Sequence, residues 1–241
     1  MDQLKVVVFD AMGVLYRFGD VQGRVLIPYL RAQGCTAPEQ EIRAAYRSAT
    51  LGDLTTAQFW SAVGTPAEER DEDYCQRHQL TEGALQAIEE LARDGLALAC
   101  LSNDTATWSA IVRRRFGLDR HIQRWFISSD LRARKPDKRA YEALLDTLGA
   151  RPEGVVFVDD RPVNLAPARS LGMRTILFWS DDTDAHPEPA GRQDPQYSVR
   201  TMPQLVTVIR ELRSAAIHGG ETTFGRPATA YEPMEGEGLD H

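Results

Sequence analysis

Three aspartates stand directly after short apolar runs, and residues of this type at such positions can carry phosphoryl chemistry. Asp10 follows residues 6–9, and Asp159 and Asp160 follow residues 155–158. If the three carboxylates lie close together, they raise each other's pKa unless a cation offsets their charge. An all-oxygen ligand set is typical of a hard cation such as Mg²⁺ rather than zinc. A carboxylate beside such an ion can attack phosphorus and form an aspartyl phosphate, which water then hydrolyses.

Polar residues that could hold the phosphoryl oxygens follow two further apolar runs. Ser102 and Asn103 follow residues 96–101, and Lys135 comes shortly after residues 124–127. Ser102 would contribute a hydroxyl and Lys135 a positive charge. Lysine is rare in this chain, whose basic residues are mostly arginine, so its use here indicates a need for a compact charge.

The same residues also have purely structural interpretations. Asp159 or Asp160 can cap the helix predicted to start at Pro162. Ser102 and Asn103 can cap the helix that follows them. We favour the functional interpretation because polar residues at several strand ends are expected to converge on one crevice.

The elements that must position these residues follow from the apolar pattern. Short β-branched runs without alternation are typical of strands buried on both faces. The pattern predicts strands at 6–9, 96–101, 124–127, 155–158 and 174–179, and helices at 82–93, 106–116, 137–148, 162–171 and 202–213. Thr81 is expected to cap the first of these helices. This alternation predicts an α/β fold with a doubly wound parallel sheet, in which ligands bind beyond the carboxyl ends of the strands.

The chain is expected to divide into a core, an insertion and a tail. Residues 16–80 have helical patterns only, which predicts a helical cap inserted into a core formed by residues 1–15 and 81–215. Residues 216–241 are rich in glycine with almost no apolar periodicity, which predicts a disordered tail.

The amino-acid composition indicates which partners and which cellular compartment to expect. The chain has 241 residues and a net charge of −7, which gives no electrostatic reason to expect a nucleic-acid or anionic-membrane partner. Its three cysteines show no metal-ligand spacing, which suits a reducing compartment. No run resembles a membrane span or a signal peptide. We therefore expect a cytoplasmic protein, and the pattern predicts no particular oligomeric state.

Four segments together resemble the haloacid dehalogenase (HAD) superfamily, in that family's order. They are Asp10-Ala-Met-Gly-Val-Leu15, Leu101-Ser-Asn103, Arg134-Lys-Pro136, and Val156-Phe-Val-Asp-Asp-Arg161 with Asn164. The resemblance covers the chain from Val6 to about Trp179. It is to subfamily I, whose members carry a C1-type helical cap, and the last segment most resembles the epoxide-hydrolase N-terminal phosphatase and sugar-1-phosphatases.

The resemblance implies a hydrolase of small phosphorylated substrates with Mg²⁺ as cofactor. It makes Asp10 the nucleophile, and Lys135 the residue that steadies both nucleophile and phosphate. The implied metal ligands are Asp10, the backbone carbonyl of Met12, Asp160 and, through a water molecule, Asp159. The implied phosphate-binding residues are Ser102, Asn103 and Lys135.

Met12 departs from the family pattern, because phosphatases of this superfamily usually have a second aspartate there as general acid and base. A thioether cannot donate a proton, and a lost general acid costs roughly 10²–10⁴ in rate. We therefore expect slow turnover of alkyl phosphates and a smaller loss for acyl phosphates or anomeric sugar phosphates, whose leaving groups are better.

Two other functions stay open. The first is a catalytically silent HAD-like protein that binds a ligand or regulates a partner. The second is a 2-haloacid dehalogenase, against which the Asp159-Asp160 pair argues because that chemistry uses no metal.

Overall fold

One six-stranded sheet of parallel strands organises the protein. The computed structural model describes residues 3–65, 70–182 and 196–218, with side chains to residue 214. The strands are β1 (Val6–Phe9), β2 (Ala97–Ser102), β3 (Arg124–Ile127), β4 (Val155–Asp159), β5 (Arg174–Phe178) and β6 (Tyr197–Val199). Their order in the sheet is β3-β2-β1-β4-β5-β6, and every neighbouring pair is parallel. The predicted α/β class is confirmed.

Hydrophobic clusters cover both faces of this sheet. Val7 and Phe9 of β1 belong to the larger cluster, whereas Val6 and Val8 belong to the other. Both sets of side chains are buried, so the central strands have no polar face to alternate with the apolar one. This is the physical reason for the unbroken apolar runs.

Helices fill the connections between strands. Before β2 the chain forms a π-helical turn (Gln22–Leu26) and helices α1 (Ile27–Ala32), α2 (Glu39–Thr50), α3 (Thr56–Ala62), α4 (Arg70–Cys75) and α5 (Ala84–Arg93). Later helices are α6 (Ala106–Arg115), α7 (Ser128–Leu131), α8 (Lys138–Leu148), α9 (Pro162–Ser170) and α10 (Met202–His218), with 3₁₀ turns at Leu118–Arg120 and Pro152–Gly154. Among the described residues, none of these helices is both long and apolar enough to cross a membrane.

Helix α2 contacts the segments that follow β2 and β3. The Tyr46 hydroxyl donates to the Asn103 carbonyl at 3.5 Å, and the Ser128 hydroxyl donates to the Thr50 carbonyl at 2.5 Å. These contacts place the C-terminal half of α2 beside the carboxyl ends of the strands. The division into a core and a cap stays a prediction.

Two sequence predictions about element ends were wrong, and one strand was missed. Thr81 does not cap α5, because its backbone N–H donates to the Leu15 carbonyl and Gly83 occupies the N-cap with a φ of 77°. Strand β6 was not predicted, since it is only three residues long and only Val199 among them is buried. Helix α10 extends to His218, so residues 216–218 are helical rather than part of the expected tail. The rest of that tail lies outside the described residues.

Candidate active site

The centre of the sheet brings two strand-end acids together. The strand order reverses between β1 and β4, and the crevice beyond such a switch point is where ligands bind in open α/β sheets. Phe9 pairs with Val158 in register, and the Asp10 backbone N–H donates to the Val158 carbonyl at 2.8 Å. Asp10 and Asp159 therefore lie side by side at this crevice.

Lys135 joins these two aspartates. Its Nζ lies 2.8 Å from Asp10 Oδ1 and 2.7 Å from Asp159 Oδ2, and only 1% of its side chain is exposed. Asp10, Asp159 and Asp160 each offer a carboxylate oxygen, and these three oxygens lie within 4.8 Å of one another. One ammonium thus lies among three carboxylates in a buried site.

Burial dominates the electrostatics of this cluster. It raises the pKa of Asp10 well above the ordinary value, and the charge of Asp159 raises that pKa further, whereas Lys135 lowers it. Burial likewise raises the pKa of Asp160 to about 7, with Asp159 adding to the shift. Burial lowers the pKa of Lys135, but the attraction of Asp10 and Asp159 outweighs it and the net shift is upward. The negative charge is therefore in excess, and a cation would offset it.

The Asp160 carboxylate lies close to two glycines, and one of its oxygens is available to bind a ligand. A Cβ at Gly13, whose φ is +78°, or at Gly19 would collide with the Asp160 carboxylate. Asp160 Oδ2 accepts a hydrogen bond from Ser180 at 2.9 Å. Asp160 Oδ1 is buried and finds no hydrogen-bond partner in the part of the chain that the structure describes. A buried carboxylate oxygen of this kind, in an all-oxygen site, fits a hard cation.

Ser102 and Asn103 do not cap α6. Thr105 is the N-cap, since its side chain accepts from the Trp108 backbone N–H at 3.1 Å. The Ser102 hydroxyl is buried without a hydrogen-bond partner among the described residues. The cap interpretation of Ser102 and Asn103 is therefore wrong, and Ser102 keeps an unused hydroxyl at the end of β2.

Asn103 positions Lys135. Its Nδ2 donates to the Lys135 carbonyl and its Oδ1 accepts from the Lys135 backbone N–H, both at 2.9 Å. Its predicted contact with phosphate stays a prediction. Asn164 has a similar role toward Asp159, because its Nδ2 lies 3.0 and 3.1 Å from the two carboxylate oxygens.

Sequence reasoning missed one residue of the site and allowed a cap interpretation that the structure does not support. Ser180 was missed, although it lies two positions beyond β5 and the strand-end rule would have found it. The Asp159-Asp160 pair does not cap α9, whose N-cap is Arg161 without a side-chain cap. Met12 is buried in the larger hydrophobic cluster, which fits its apolar type.

Comparisons with known proteins agree with this fold and identify the family. A family model of haloacid dehalogenase-like hydrolases matches residues 4–172, so the chain belongs to that family and is a hydrolase. The chain is similar to bifunctional epoxide hydrolase 2 of Sus scrofa, with 37% identity over 103 residues, which are 41% of this chain and 19% of that protein. It is also similar to flavin mononucleotide hydrolase 1 of Arabidopsis thaliana, with 24% identity over 186 residues and 75% of each chain covered.

A solved structure shows the same architecture. A HAD-family enzyme of Bacteroides thetaiotaomicron, in complex with magnesium and inorganic phosphate, superposes with a TM-score of 0.65 at 19% identity. The match covers 74% of this chain and 96% of that one. At this identity the likeness establishes the fold alone.

Proposed function

We propose that this protein is a Mg²⁺-dependent phosphatase of a small phosphorylated metabolite and that it acts in the cytoplasm. The observation that carries the proposal is Lys135, whose Nζ lies within 2.8 Å of both Asp10 and Asp159 beside the third carboxylate of Asp160. Membership of a hydrolase family and the phosphate-ester hydrolases among its relatives support the same reaction.

The proposed reaction has two displacement steps at phosphorus. In the first, an Asp10 carboxylate oxygen bonds to phosphorus while the bond from phosphorus to the leaving oxygen breaks. In the second, water attacks the phosphorus of the aspartyl phosphate and releases inorganic phosphate with a free carboxylate. The Ser102 hydroxyl and the Lys135 ammonium hold the phosphoryl oxygens as negative charge shifts among them. Lys135 also lowers the pKa of the Asp10 carboxyl, against the larger upward effect of burial, and so favours the ionised form that attacks.

A bound Mg²⁺ would be held by Asp10, the Met12 backbone carbonyl, Asp160 and, through water, Asp159, and it would neutralise phosphoryl charge. Asn164 holds Asp159, and Ser180 holds one oxygen of Asp160, so both carboxylates are oriented by neighbours. Such positioning of ligands by surrounding hydrogen bonds supports a metal site.

Met12 restricts the substrates that turn over well. A thioether cannot protonate the leaving oxygen, so a substrate with an alkoxide leaving group reacts slowly. Acyl phosphates and anomeric sugar phosphates release better leaving groups and are affected less. The proposed phosphatase therefore has a preference that is set by leaving-group acidity.

Trapping of the covalent intermediate tests the proposal. The protein is incubated with Mg²⁺ and either beryllium fluoride or acetyl phosphate, and native mass spectrometry follows the mass of the chain. We expect an adduct with the wild-type protein and none with Asp10→Asn. Absence of any adduct, with Mg²⁺ binding established by calorimetry, would contradict the proposal.

The buried Met12 favours a second candidate, a silent protein that binds a phosphorylated ligand without turning it over. Phosphate and Mg²⁺ binding without phosphate release, both in the wild-type protein and in Met12→Asp, would support this candidate. A 2-haloacid dehalogenase would instead release chloride from 2-chloropropionate without metal, and we expect no such release.

A further inference from the structure

Arg134 is a half-buried cation with an unused hydrogen-bond donor beside the proposed phosphatase site. It directly precedes Lys135 in the chain. Its Nη1 atom is buried and has no hydrogen-bond partner in the described ranges of the chain. A buried donor that stays unpaired is unfavourable, and more so when it is charged. We therefore expect the Arg134 guanidinium to bind a ligand.

Two further arginines lie within electrostatic range of Arg134. Burial lowers the pKa of the Arg134 guanidinium. Tyr46 and Asp104 raise this pKa, whereas the like charges of Arg47 on α2 and Arg161 after β4 lower it. Among the residues that the structure describes, none of these three guanidinium groups forms an ion pair with a carboxylate. The positive charges of Arg47 and Arg161 each repel that of Arg134, so an anion bound beside Arg134 would be favourable.

Tyr46 connects this arginine group to the reaction centre. Its hydroxyl donates to the Asn103 carbonyl at 3.5 Å, and Asn103 in turn holds the Lys135 backbone through two hydrogen bonds. Burial raises the pKa of Tyr46, and the charges of both Arg134 and Asp10 act on it. Tyr46 therefore lies within range of the nucleophile on one side and of Arg134 on the other.

We propose that Arg134, Arg47 and Arg161 bind a second anionic group of the substrate. This inference rests on the proposed phosphatase function, because it assigns the part of the substrate that is not transferred. The substrate class is a small phosphate ester or anhydride that also carries a carboxylate or a second phosphate. Guanidinium groups suit both anions, since their planar donors bind two oxygens at once.

Two separate parts of the chain form the proposed anion site. Arg47 and Tyr46 belong to α2 in the segment between β1 and β2, whereas Arg134 and Arg161 follow later strands. An anion bound by these arginines would therefore contact both parts of the chain. Substrates without the second anion lose this contribution.

Paired substrates of matched shape test the inference. 2-Phosphoglycolate is compared with 2-hydroxyethyl phosphate, and propane-1,3-diol bisphosphate with its monophosphate, by kcat/KM for phosphate release. We expect the member with the second anion to be preferred by at least about tenfold, the size of one charge-assisted hydrogen bond. The first pair tests a carboxylate and the second pair a phosphate.

Three variants identify which residues cause the preference for substrates with a second anion. Arg134→Gln and Arg47→Gln are expected to reduce the preference ratio roughly tenfold each. Arg47 is exposed, so its variant keeps the test valid even if Arg134→Gln fails to fold. Arg43→Gln is the matched control on the same helix, because Arg43 pairs with Asp20 and Glu39, and it is expected to keep the wild-type ratio.

The outcomes separate this inference from the proposed function. Equal kcat/KM within both pairs, or an unchanged ratio in both arginine variants, would overturn the second-anion site while leaving the phosphatase intact. If no substrate is turned over and no Asp10 adduct forms, the phosphatase function fails. Calorimetric affinities of the same pairs for the Asp10→Asn protein then decide the anion site, with equal affinities counting against it.

Discussion

Two polar clusters of this protein differ in how their hydrogen bonds are satisfied. In the first, Asp71 of α4 accepts from Trp60 Nε1 at 2.8 Å, from Trp108 Nε1 at 2.6 Å and from the Thr56 hydroxyl at 2.7 Å. Both carboxylate oxygens of Asp71 therefore have protein partners. The cluster joins α3 and α4 to α6, which follows β2.

The strand-end cluster of Asp10, Lys135, Asp159 and Asp160 is satisfied only in part. Its carboxylates are in excess over its one ammonium, and Asp160 Oδ1 has no protein partner in the described part of the chain. A fully satisfied polar cluster makes one arrangement of helices specific, whereas a partly satisfied one retains binding capacity for a ligand. The difference distinguishes a structural role from a functional one.

The largest expected effect in this comparison is that of Asp10→Asn. We expect phosphate release to fall by more than about 10⁴-fold, because the nucleophile is lost. The melting temperature should not fall, since burial and Asp159 make the ionised Asp10 costly in the folded state. Phosphate release and thermal unfolding of the same preparations measure both effects. A variant that loses activity together with its fold would contradict the functional assignment.

Met12→Asp is expected to have the next largest effect. An aspartate at this position supplies the missing proton donor, so turnover of an alkyl phosphate should rise by roughly 10²–10⁴. The rise for acetyl phosphate should be much smaller, because its leaving group does not need protonation. Parallel rates with both substrates give the ratio, and Met12→Leu is the control that adds no acid. An equal change for both substrates would count against the leaving-group argument.

Asp71→Ala tests the satisfied cluster and is expected to affect stability rather than chemistry. Removal of the carboxylate leaves two indole N–H groups without their acceptor, so the free energy of unfolding should fall by about 2–5 kcal/mol. Urea denaturation measures this loss. Asp73→Ala is the matched control on α4, because Asp73 pairs with exposed Arg77 and should contribute less than about 1 kcal/mol. Equal losses of stability in the two variants would contradict the structural role of the Asp71 cluster.

The sequence predicts the strand-end cluster better than the Asp71 cluster, for a physical reason. Strand ends are local features, and parallel register then brings Asp10 beside Asp159 without further information. The Asp71–Trp108 contact joins residues 37 positions apart through helix packing, and no local pattern encodes it. Trp60 and Trp108 are buried, but nothing in the sequence indicates that their indole N–H groups share one acceptor. For the same reason the two backbone hydrogen bonds of Asn103 could be found only from the structure.

The smallest expected effect is that of replacing His78, whose contribution to the free energy of unfolding depends on pH. The ring is 3% exposed, packs against Tyr74 at 5.1 Å and Tyr16 at 6.0 Å, and its Nδ1 has no hydrogen-bond partner among the described residues. Burial lowers the pKa of His78 from 6.5 to about 4. The unfolded chain therefore binds a proton at a higher pH than the folded one.

The sign of this effect follows from linkage. The stability associated with the neutral ring is fully present above pH 6.5 and is lost as the pH falls toward 4, by about 3 kcal/mol at most. His78→Phe should therefore flatten the decline in the free energy of unfolding across this window, as measured by urea denaturation at several pH values. His121→Gln changes a histidine that is 28% exposed in its side chain and should leave the decline as it is in the wild-type protein. If His78→Phe retained the full decline, the buried ring would not be its source, because Asp10 and Asp160, whose pKa values are raised in the folded protein, act in the opposite direction.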